Sequence, residues 1–486
     1  MGDQAGELVS GPEQRTGRLG SRKAPVVLME TIVISRRPRE AWRRKPTSYP
    51  GLFRVPPASP LAGGERRPGT GVRGPGGRPM LAGMPDAVIV ATARSPIGRA
   101  FKGSLKDVRP DDLAAATVRG LLAKVPELPP GEIEDLLLGC GQPAGEAGFN
   151  IARVVAILAG LDGVPGVTVN RYCSSSLQTI RMAAHAIRAG EGDCFVAGGV
   201  ETTSRFLTGS SDGLPDTHNP AFAAAEARSA MRAKGGGAPW EPAEGLPDIY
   251  IAMGQTAENV AEYENVGREE MDELAALSQH RAVENQENGF FEREITPYVL
   301  ADGTVVATDD GPRPGTTIEG LAKLQPVFRP DGKVTAGNAC PLNDGAAAVV
   351  VMSDSRAAEL GIRPLARVVA SGLSALHPEV MGLGPIEASR QALKRAGMTI
   401  EDVDLVEINE AFAAQVIPSA RHLGVPWDKL NVHGGAIALG HPFGMTGARI
   451  MTTLINGLEN QDKSVGLETM CVGGGQGMAM IVERLA

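Results

Sequence analysis

The same order of strands and helices occurs twice within residues 84–486 of this 486-residue chain. The first half has four strand-like runs separated by helical segments, at residues 87–90, 133–138, 167–170 and 194–201. The second half repeats this order with runs at residues 366–370, 403–408, 431–432 and 466–471. Strands that alternate with helices indicate layered α/β structure. Because the order recurs within one chain, we predict two similar halves that pack against each other.

Composition limits the classes of function that this chain can have. Residues 84–486 hold 33 basic and 50 acidic side chains, and an acidic body argues against nucleic acid as a partner. Five irregularly spaced cysteines do not suggest a disulfide framework, so a reducing, cytoplasmic location is expected. No CxxC or HExxH motif occurs, and no apolar run is long enough to cross a bilayer. We therefore expect neither a metal site nor a membrane anchor.

Residues 1–83 differ from the rest of the chain. They hold 15 basic and 6 acidic side chains, are rich in Arg, Gly and Pro, and show no sustained apolar period. This composition is typical of disordered chain. An Arg-rich targeting presequence is the alternative, and Asp3, Glu7 and Glu13 count against it. We predict a disordered N-terminal extension that is dispensable for function, with the folded body beginning at Met84.

A single cysteine, Cys173, stands where a strand-like run meets a helix. The sequence Asn170-Arg171-Tyr172-Cys173-Ser174-Ser175-Ser176 ends the run, and apolar residues then recur at helical spacing. A helix N-terminus presents unpaired backbone N–H groups and the positive end of the helix dipole, and both favour a thiolate. Cys173 is therefore a candidate nucleophile, although a lone free cysteine is more often an inert core residue.

Three motifs near the C-terminus supply partners for this thiol. His441 lies in the glycine-rich residues 433–444, and an unperturbed imidazole suits proton transfer near neutral pH. Cys471 precedes glycines 473–475, whose backbone N–H groups can approach a substrate oxygen. Asn409 stands at a strand-to-helix junction. A nucleophile, a base, a second thiol and an amide donor together indicate acyl transfer.

These motifs resemble those of the thiolase family, which contains acetyl-CoA acetyltransferases and 3-ketoacyl-CoA thiolases. The blocks follow in the family's order: NRYCSSS, GGVE, MGQTAENV, TAGNAC-PLNDGAA, NEAFA, GGAIALGHPFG and CVGGGQG. The resemblance implies the α/β thiolase fold, with two duplicated βαβ-type halves in a five-layered αβαβα arrangement and an inserted loop domain. The implied bounds are 84–202 with 343–361 for the N-terminal half, 203–342 for the loop domain, and 362–486 for the C-terminal half.

The resemblance also implies a role for each residue of the site. Cys173 would carry the acyl group, and His441 would take its proton. Cys471 would be the second acid/base, which moves the proton on the α-carbon. Asn409 would hold a water or donate to the thioester oxygen. Gly473 and the backbone N–H of Cys173 would form the second oxyanion hole.

Five further residues match positions that meet coenzyme A or the acyl group in the family. Met253, Met381 and Phe412 match pocket positions, although each alone would be interpreted as core. Arg313 matches an arginine at the nucleotide end of coenzyme A. Cys340 stands where the family often has a serine beside the pantetheine arm, and an alanine at position 252 replaces a frequent histidine near the same arm.

Four residues close to these motifs have structural interpretations beside functional ones. His433 competes with His441 for the role of base, but the family commonly has other polar residues at its position. Glu410 either belongs to the site or orders its helix, as acidic residues often do in first turns. Cys140 and Cys194 lie in apolar strand contexts and are expected in the core.

The implied function is thiolytic cleavage of 3-ketoacyl-CoA, or the reverse Claisen condensation, with coenzyme A and acyl-CoA as substrates and no tightly bound cofactor. Implied partners are further copies of the chain, in a homodimer or homotetramer, and a hydratase/dehydrogenase of fatty-acid β-oxidation. A β-ketoacyl synthase-like condensing enzyme is the nearest alternative, but such enzymes lack the second thiol at Cys471. The other alternative is an inactive carrier or scaffold, which would have lost a catalytic residue. The direction of the reaction and the acyl chain length stay open.

Overall fold

A computed structural model describes residues 85–208 and 216–485. The predicted N-terminal extension, residues 1–83, and the predicted start at Met84 lie outside the described residues. The described body holds one large sheet in the order β10-β11-β12-β9-β1-β8-β5-β3-β4, and β2 also pairs with β8. The strands are β1 Ala87–Arg94, β2 Gly98–Arg99, β3 Asp135–Gly139, β4 Gly166–Val169, β5 Cys194–Thr202, β6 Tyr298–Val299, β7 Val305–Val306, β8 Asn343–Ser353, β9 Ala366–Ala375, β10 Leu405–Ile408, β11 Val465–Val472 and β12 Gln476–Arg484.

Helices separate most of these strands, as the alternating pattern predicts. They are α1 Pro110–Ala123, α2 Ile151–Leu158, α3 Ser175–Ala189, α4 Ala223–Arg232, α5 Met253–Tyr263, α6 Arg268–Glu287, α7 Ile318–Leu321, α8 Asp354–Leu360, α9 Gly384–Ala396, α10 Ala413–Leu423, α11 Ala436–Leu439 and α12 Thr446–Asn460. Helix α3 ends at Gly190, which caps it in the left-handed conformation. Short 3-10 turns precede several helices, including Tyr172–Ser174 before α3.

The sheet confirms the duplication. In the first half the order β4-β3-β5-β8-β1 has parallel pairs β4/β3 and β3/β5, and β8 runs antiparallel to both its neighbours. The second half repeats this with β10 parallel to β11 and β12 antiparallel to both its neighbours. A short antiparallel pairing of β1 with β9 joins the two halves. The predicted strand at residues 431–432 is wrong: only a single bridge, Val406 to Leu430, marks its place.

Three hydrophobic clusters define five layers. One outer cluster joins α1 and α2 to the first half-sheet, and the other joins α9 and α10 to the second. The middle cluster contains α3 and α12, which lie between the half-sheets. In α3, the apolar residues predicted at helical spacing are all buried there: Leu177, Ile180, Ala184 and Ile187. The predicted αβαβα layering of an α/β fold is therefore confirmed.

Residues 203–342 lie between β5 and β8 and contribute helices α4 to α7 and the β6/β7 hairpin. The division of the chain into this insertion and two halves stays a prediction. The long strand β8 that follows is buried along its whole length, which matches its nearly continuous apolar sequence. Within the described residues, no helix is both long and apolar enough to cross a membrane.

Candidate active site

Cys173 lies between the end of β4 and the start of α3, which belongs to the middle layer. Tyr172 takes a left-handed conformation, with φ of 44°, and turns the chain sharply out of the strand. The hydroxyl of Ser175 accepts from the Arg171 N–H and donates to the carbonyl of Tyr172, which closes the turn. Cys173 is buried in this turn, immediately before α3. The predicted position at a helix start is confirmed.

The loop that carries His441 docks on the first half of the chain. Gly440 has φ of 112°, a conformation that glycine adopts without strain, and a Cβ there would collide with the Asn343 side chain. Asn343 accepts from the His441 backbone N–H at 3.0 Å through its Oδ1 and donates to the carbonyl of Gly98 through its Nδ2. The backbone of Gly444 lies against Gly199 of β5 so closely that neither glycine has room for a side chain. Residues of both halves therefore build the surroundings of His441.

The imidazole of His441 is held at both ring nitrogens. Asn409 Nδ2 donates to Nε2 at 3.3 Å, and Nδ1 lies 2.6 Å from the hydroxyl of Thr446, which itself donates to the carbonyl of Pro442. This pattern places the proton on Nδ1 and leaves Nε2 as the basic nitrogen. The two predicted residues Asn409 and His441 are thus in direct contact.

Three thiols and one backbone N–H converge on the same place. The Gly473 N–H is directed at the sulfur of Cys173 and lowers the pKa of that thiol. Cys340 and Cys471 both lie close enough to Cys173 for its charge to raise their pKa values. Cys173 comes from the first half, Cys471 and Gly473 come from the end of the second half, and Cys340 precedes β8. The structure therefore brings together predicted residues that are about 300 positions apart in the sequence.

Burial decides the ionisation of the unliganded site. It raises the pKa of the Cys173 thiol to about 12, and this effect exceeds the opposing effect of the Gly473 N–H. Burial and the nearby Arg449 guanidinium lower the pKa of His441 to about 3. Burial therefore opposes the thiolate that the helix start favours, and it moves the pKa of His441 away from neutral pH, because both groups are almost completely removed from water. The Cys173 thiol and the His441 imidazole are both uncharged at neutral pH.

The predicted pocket residues Met253, Met381 and Phe412 gather beside Cys471. Met381, Phe412 and Cys471 belong to one buried cluster, and Met253 packs against it from the start of α5. The Phe412 ring also meets Phe328 edge-on, with ring centroids 6.1 Å apart. These apolar side chains therefore share one buried cluster with the second thiol.

Arg313 lies outside this apolar cluster. Arg313 is exposed to solvent, and partial desolvation together with the nearby Arg99 guanidinium lowers the pKa of its side chain. Its backbone N–H donates to Gln279 of α6, and the neighbouring Gly311 packs against Ala438 of α11. This contact attaches the segment of Arg313 to the helix that immediately precedes Gly440 and His441.

The four residues with competing interpretations are all in the interior. His433 stacks on Phe290 with ring centroids 3.9 Å apart, and burial lowers its pKa to about 4. Cys140 and Cys194 lie in the outer cluster of the first half, as expected. Glu410 accepts hydrogen bonds from Ser278 of α6, from Asn431 and from the N–H of Ile437 in α11. It ties these segments together and does not cap its own helix.

Sequence reasoning missed four residues that arrange the site: Glu201, Asn343, Gln415 and Thr446. Gln415 donates to the Asn409 carbonyl at 2.6 Å, and Glu201 accepts from the Gly444 N–H. Glu201 and Asn343 are polar residues at the ends of apolar strands, inside the quoted motifs GGVE and PLND. This position in the sequence could have identified both as residues of the site. Gln415 and Thr446 lie outside the quoted motifs and carry no such signal. Among the described residues, no group of His, Cys, Asp and Glu has the arrangement of a metal site.

Comparisons with known proteins agree with this geometry. The models for the thiolase N-terminal and C-terminal domains match residues 87–355 and 362–484. A 3-ketoacyl-CoA thiolase of Idiomarina loihiensis is 44% identical over 413 residues, which are 83% of this chain and 100% of the relative. A beta-ketoadipyl-CoA thiolase of Acinetobacter baylyi is 42% identical with the same coverage. The crystal structure of a Bacillus anthracis acetyl-CoA acetyltransferase is 39% identical, has a TM-score of 0.70, and matches 83% of this chain and 99% of its own. The chain belongs to the thiolase family of acyltransferases.

Proposed function

We propose that this enzyme cleaves 3-ketoacyl-CoA with free coenzyme A, and runs the reverse condensation, through an acyl group on Cys173. The observation that carries this proposal is the convergence of Cys173, Cys471 and the Gly473 N–H, with the basic nitrogen of His441 in the same buried site. A nucleophilic thiol alone would serve many reactions. A second thiol beside it supplies the proton transfer that carbon–carbon cleavage needs.

The first half-reaction forms the acyl-enzyme. The Cys173 sulfur attacks the 3-keto carbon while its proton passes to Nε2 of His441. Transfer during the attack avoids a free thiolate, which the buried site disfavours because the pKa of Cys173 is raised to about 12. The C2–C3 bond then breaks, the acyl group stays on Cys173, and the carbanion at C2 takes the proton of Cys471 to release acetyl-CoA.

The second half-reaction transfers the acyl group to coenzyme A. The thiol of coenzyme A gives its proton to the thiolate of Cys471 and attacks the thioester carbon of acyl-Cys173. The Cys173 sulfur leaves and regains its proton from His441. Each proton is returned, so the enzyme ends the cycle unchanged.

Two sets of N–H donors stabilise the negative charge that develops on oxygen. The Gly473 N–H already points at Cys173, and with the Cys173 N–H it forms one oxyanion hole. Asn409, held by Gln415 and His441, serves the other, either directly or through a water. Its Oδ1 is buried and has no protein partner, which leaves it available to a water molecule. One such donor typically lowers the activation free energy by about 3 kcal/mol.

The substrates follow from the family and from the pocket. We assign the adenosine end of coenzyme A to the region of Arg313 and its pantetheine arm to the region of Cys340. The acyl chain lies against Met253, Met381 and Phe412. The relatives named 3-ketoacyl-CoA thiolase support a degradative role. We place this role in fatty-acid β-oxidation in the cytoplasm, with a hydratase/dehydrogenase as the partner that supplies the substrate.

We also propose that the enzyme is a homo-oligomer that associates through β4. This strand pairs with β3 on one side and with no other described strand on its second side. Around it lie exposed apolar side chains, of which Phe149 is 85% exposed and Ile157, Leu158 and Val167 are also exposed. Strand edges with apolar surroundings pair with a second chain unless they are protected. A twofold axis beside β4 would cover these residues and build a dimer, and two dimers would form a tetramer.

Mass spectrometry after incubation with acetyl-CoA tests the proposed chemistry. We expect a single acetyl adduct, on the peptide that contains Cys173, and release of the label when coenzyme A is added. The Cys173→Ala protein is the matched control and should stay unlabelled. An adduct found only on Cys340 or Cys471 would overturn the assignment of the nucleophile. Absence of any adduct from a folded protein would instead support the inactive scaffold.

A further inference from the structure

A buried carboxylate, Glu201, joins the two loops that frame the reactive groups. It lies near the end of β5 and is 2% exposed. Its Oε2 accepts from the Gly141 N–H at 2.7 Å and from the Gly444 N–H at 2.9 Å. Its Oε1 accepts from the Gln142 N–H at 3.2 Å, and the Cys140 thiol lies 3.8 Å away. One side chain therefore satisfies three backbone donors from two segments.

These two segments belong to different halves of the molecule. Gly141 and Gln142 follow β3 in the first half, whereas Gly444 lies three residues after His441 in the second. A Cβ on Gly141 would lie 2.9 Å from Glu201 Oε2 and 3.1 Å from Phe443 Cβ, so the carboxylate is enclosed by both segments. The Phe443 ring in turn meets His441 edge-on, with ring centroids 5.1 Å apart. A shift of Gly444 away from Glu201 would move the chain that positions His441.

The negative charge of the Glu201 carboxylate strengthens its hydrogen bonds to these two segments. Hydrogen bonds from backbone N–H groups to an ionised carboxylate are roughly twice as strong as those to a neutral acceptor. A protonated Glu201 would keep one carbonyl oxygen and turn a hydroxyl, which is a donor, toward N–H groups that are also donors. The oxygens of a neutral carboxyl group are also weaker acceptors than those of a carboxylate, so the three backbone N–H groups would be held less strongly.

Glu201 titrates in the range in which enzymes work. Burial raises its pKa to about 7, although the three N–H groups oppose this shift. The groups around it are the thiols of Cys140 and Cys173, whose pKa values are raised, so both stay protonated at neutral pH. On the outer side, a crevice separates it from the ion pair of Arg205 with Glu146.

The adjacent strand β8 carries one more carboxyl group that titrates nearby. Asp344 accepts from the N–H and the hydroxyl of Ser204, and burial raises its pKa to about 6. It faces Thr202 in the sheet and does not bond the His441 loop. A comparison of proteins with and without the Glu201 carboxyl therefore isolates the contribution of Glu201.

We infer that Glu201 is a positioning residue whose carboxylate form holds the His441 loop against the first half, and that proton uptake by Glu201 loosens this hold and slows acylation of Cys173. The inference rests on the proposed function, because it takes His441 as the base. Glu201 touches no reacting atom, and it acts through the position of His441.

Single-turnover acylation with acetyl-CoA at pH 5.5 to 8.5 tests this inference. If only the ionised form of Glu201 holds the His441 loop, the acylation rate of the wild-type protein should be about tenfold lower at pH 6 than at pH 8. The midpoint of this change in rate should lie near pH 7. The Glu201→Gln carbonyl can still accept from Gly141 and Gly444 but cannot titrate. Its acylation rate should therefore change by less than about twofold over the same range. A Glu201→Gln protein that keeps the wild-type profile would overturn the inference.

Glu258→Gln is the matched control. Glu258 is equally buried and accepts the backbone N–H groups of Lys333 and Val334, with a raised pKa, but it bonds no residue of the His441 loop. It should keep the wild-type pH profile of acylation. Loss of the profile in both variants would show a general effect of buried charge and would contradict a specific role for Glu201.

A second variant separates the effect of the Glu201 hydrogen bonds from the effect of its charge. Glu201→Leu leaves the three N–H groups without an acceptor, and we expect kcat to fall at least about tenfold at pH 8 with KM for coenzyme A unchanged. Normal kcat in this variant would contradict the inference. If Glu201→Leu does not fold, the pH profile of Glu201→Gln still decides. A wild-type protein that accepts no acetyl group at any pH would instead refute the proposed function.

Thermal stability measured at the same pH values excludes global unfolding as the cause. Because the pKa of Glu201 is raised in the folded state, its ionisation lowers stability as pH rises from about 4.5 to about 7. Relative to Glu201→Gln, the wild-type protein should therefore be no less stable at pH 6 than at pH 8. Slow acylation at pH 6 without a lower relative Tm would identify a local loosening of the loop.

Discussion

The two halves of this enzyme share one topology but end their sheets differently. In the first half, exposed apolar residues lie within and just before the outer strand β4, and the strand has no described neighbour on its free side. In the second half the matching position holds only the bridge at Leu430, which is buried. There the Arg281 guanidinium of α6 donates to the carbonyls of Trp427 and Leu430, so the insertion covers this edge. Among the described residues, one duplicated unit therefore leaves the edge of its sheet open, and the other closes it within the chain.

The reactive groups are divided between the halves in the same unequal way. In the proposed mechanism the first half supplies the attacking thiol of Cys173, at the end of its outer strand, and the second half supplies His441 and Cys471, which move the protons. The proposed N–H donors to the oxyanion come from both halves. Variants on each side should therefore fail at different steps, and the following predictions run from the largest expected effect to the smallest.

Replacement of the nucleophile should have the largest effect. Cys173→Ala removes the atom that carries the acyl group, so both acetyl labelling and turnover should be lost. Labelled acetyl-CoA and a steady-state assay with 3-ketoacyl-CoA measure the two quantities. Turnover that persists in this variant would move the nucleophile to the second half and end the proposed division of roles.

Replacement of the second thiol should separate the two measurements. Cys471→Ala should still accept an acetyl group on Cys173, because acylation needs only Cys173 and His441. Thiolysis and condensation should fall by about two to four orders of magnitude, the usual contribution of a positioned acid or base. Normal turnover would make Cys471 a packing residue and favour a synthase-like mechanism with one cysteine.

A charge on the open edge should break the oligomer without removing any reactive group. Val167→Lys places an ammonium group on β4, and the dimer dissociation constant should rise by about tenfold or more. Light scattering after gel filtration over a range of concentrations measures this change. Val299→Lys, on the exposed strand β6, is the matched control and should leave the oligomer intact. An unchanged oligomer in Val167→Lys would show that β4 is not the interface.

Restoring the hydroxyl that the family often has at position 340 should have a small effect. Cys340→Ser changes the volume little and provides a better hydrogen-bonding group at the proposed pantetheine contact. We expect KM for coenzyme A to change by several-fold at most, with the rate of Cys173 acylation nearly unchanged. Loss of the acylation burst would instead place Cys340 in the reaction. Cys340 lies close to Cys173 and Cys471, so this outcome is a real alternative.

Removal of residues 1–83 should have the smallest effect. Their composition is typical of segments that do not fold, and we predict that a chain that begins at Met84 keeps its activity and Tm. The full chain, purified in parallel, is the control. A truncated protein that is soluble but inactive would give this segment a role in the site.

Much of the fold was predictable because its signals are local. Alternating runs and helical spacing identified most of the strands and helices, including α3. The strand predicted at residues 431–432 failed because hydrogen bonds from α6, far away in the sequence, replace a strand neighbour there. The strand β12 was not predicted either, since it follows the glycine run of the Cys471 motif.

The sequence by itself determined which chemical groups the site could contain. Cys173, His441, Cys471 and Asn409 stand in motifs whose side-chain chemistry and neighbouring glycines already indicated acyl transfer. These properties belong to a few adjacent residues. They can therefore be recognised without knowledge of how the chain is packed.

Only the tertiary structure decided the state of those groups. The pKa of Cys173 is raised and that of His441 is lowered because segments from both halves bury them. The attachment of the His441 loop depends on Glu201 and Asn343, which lie 98 or more residues away. Desolvation and long-range hydrogen bonds depend on which distant segments meet, and no local pattern in the sequence records that.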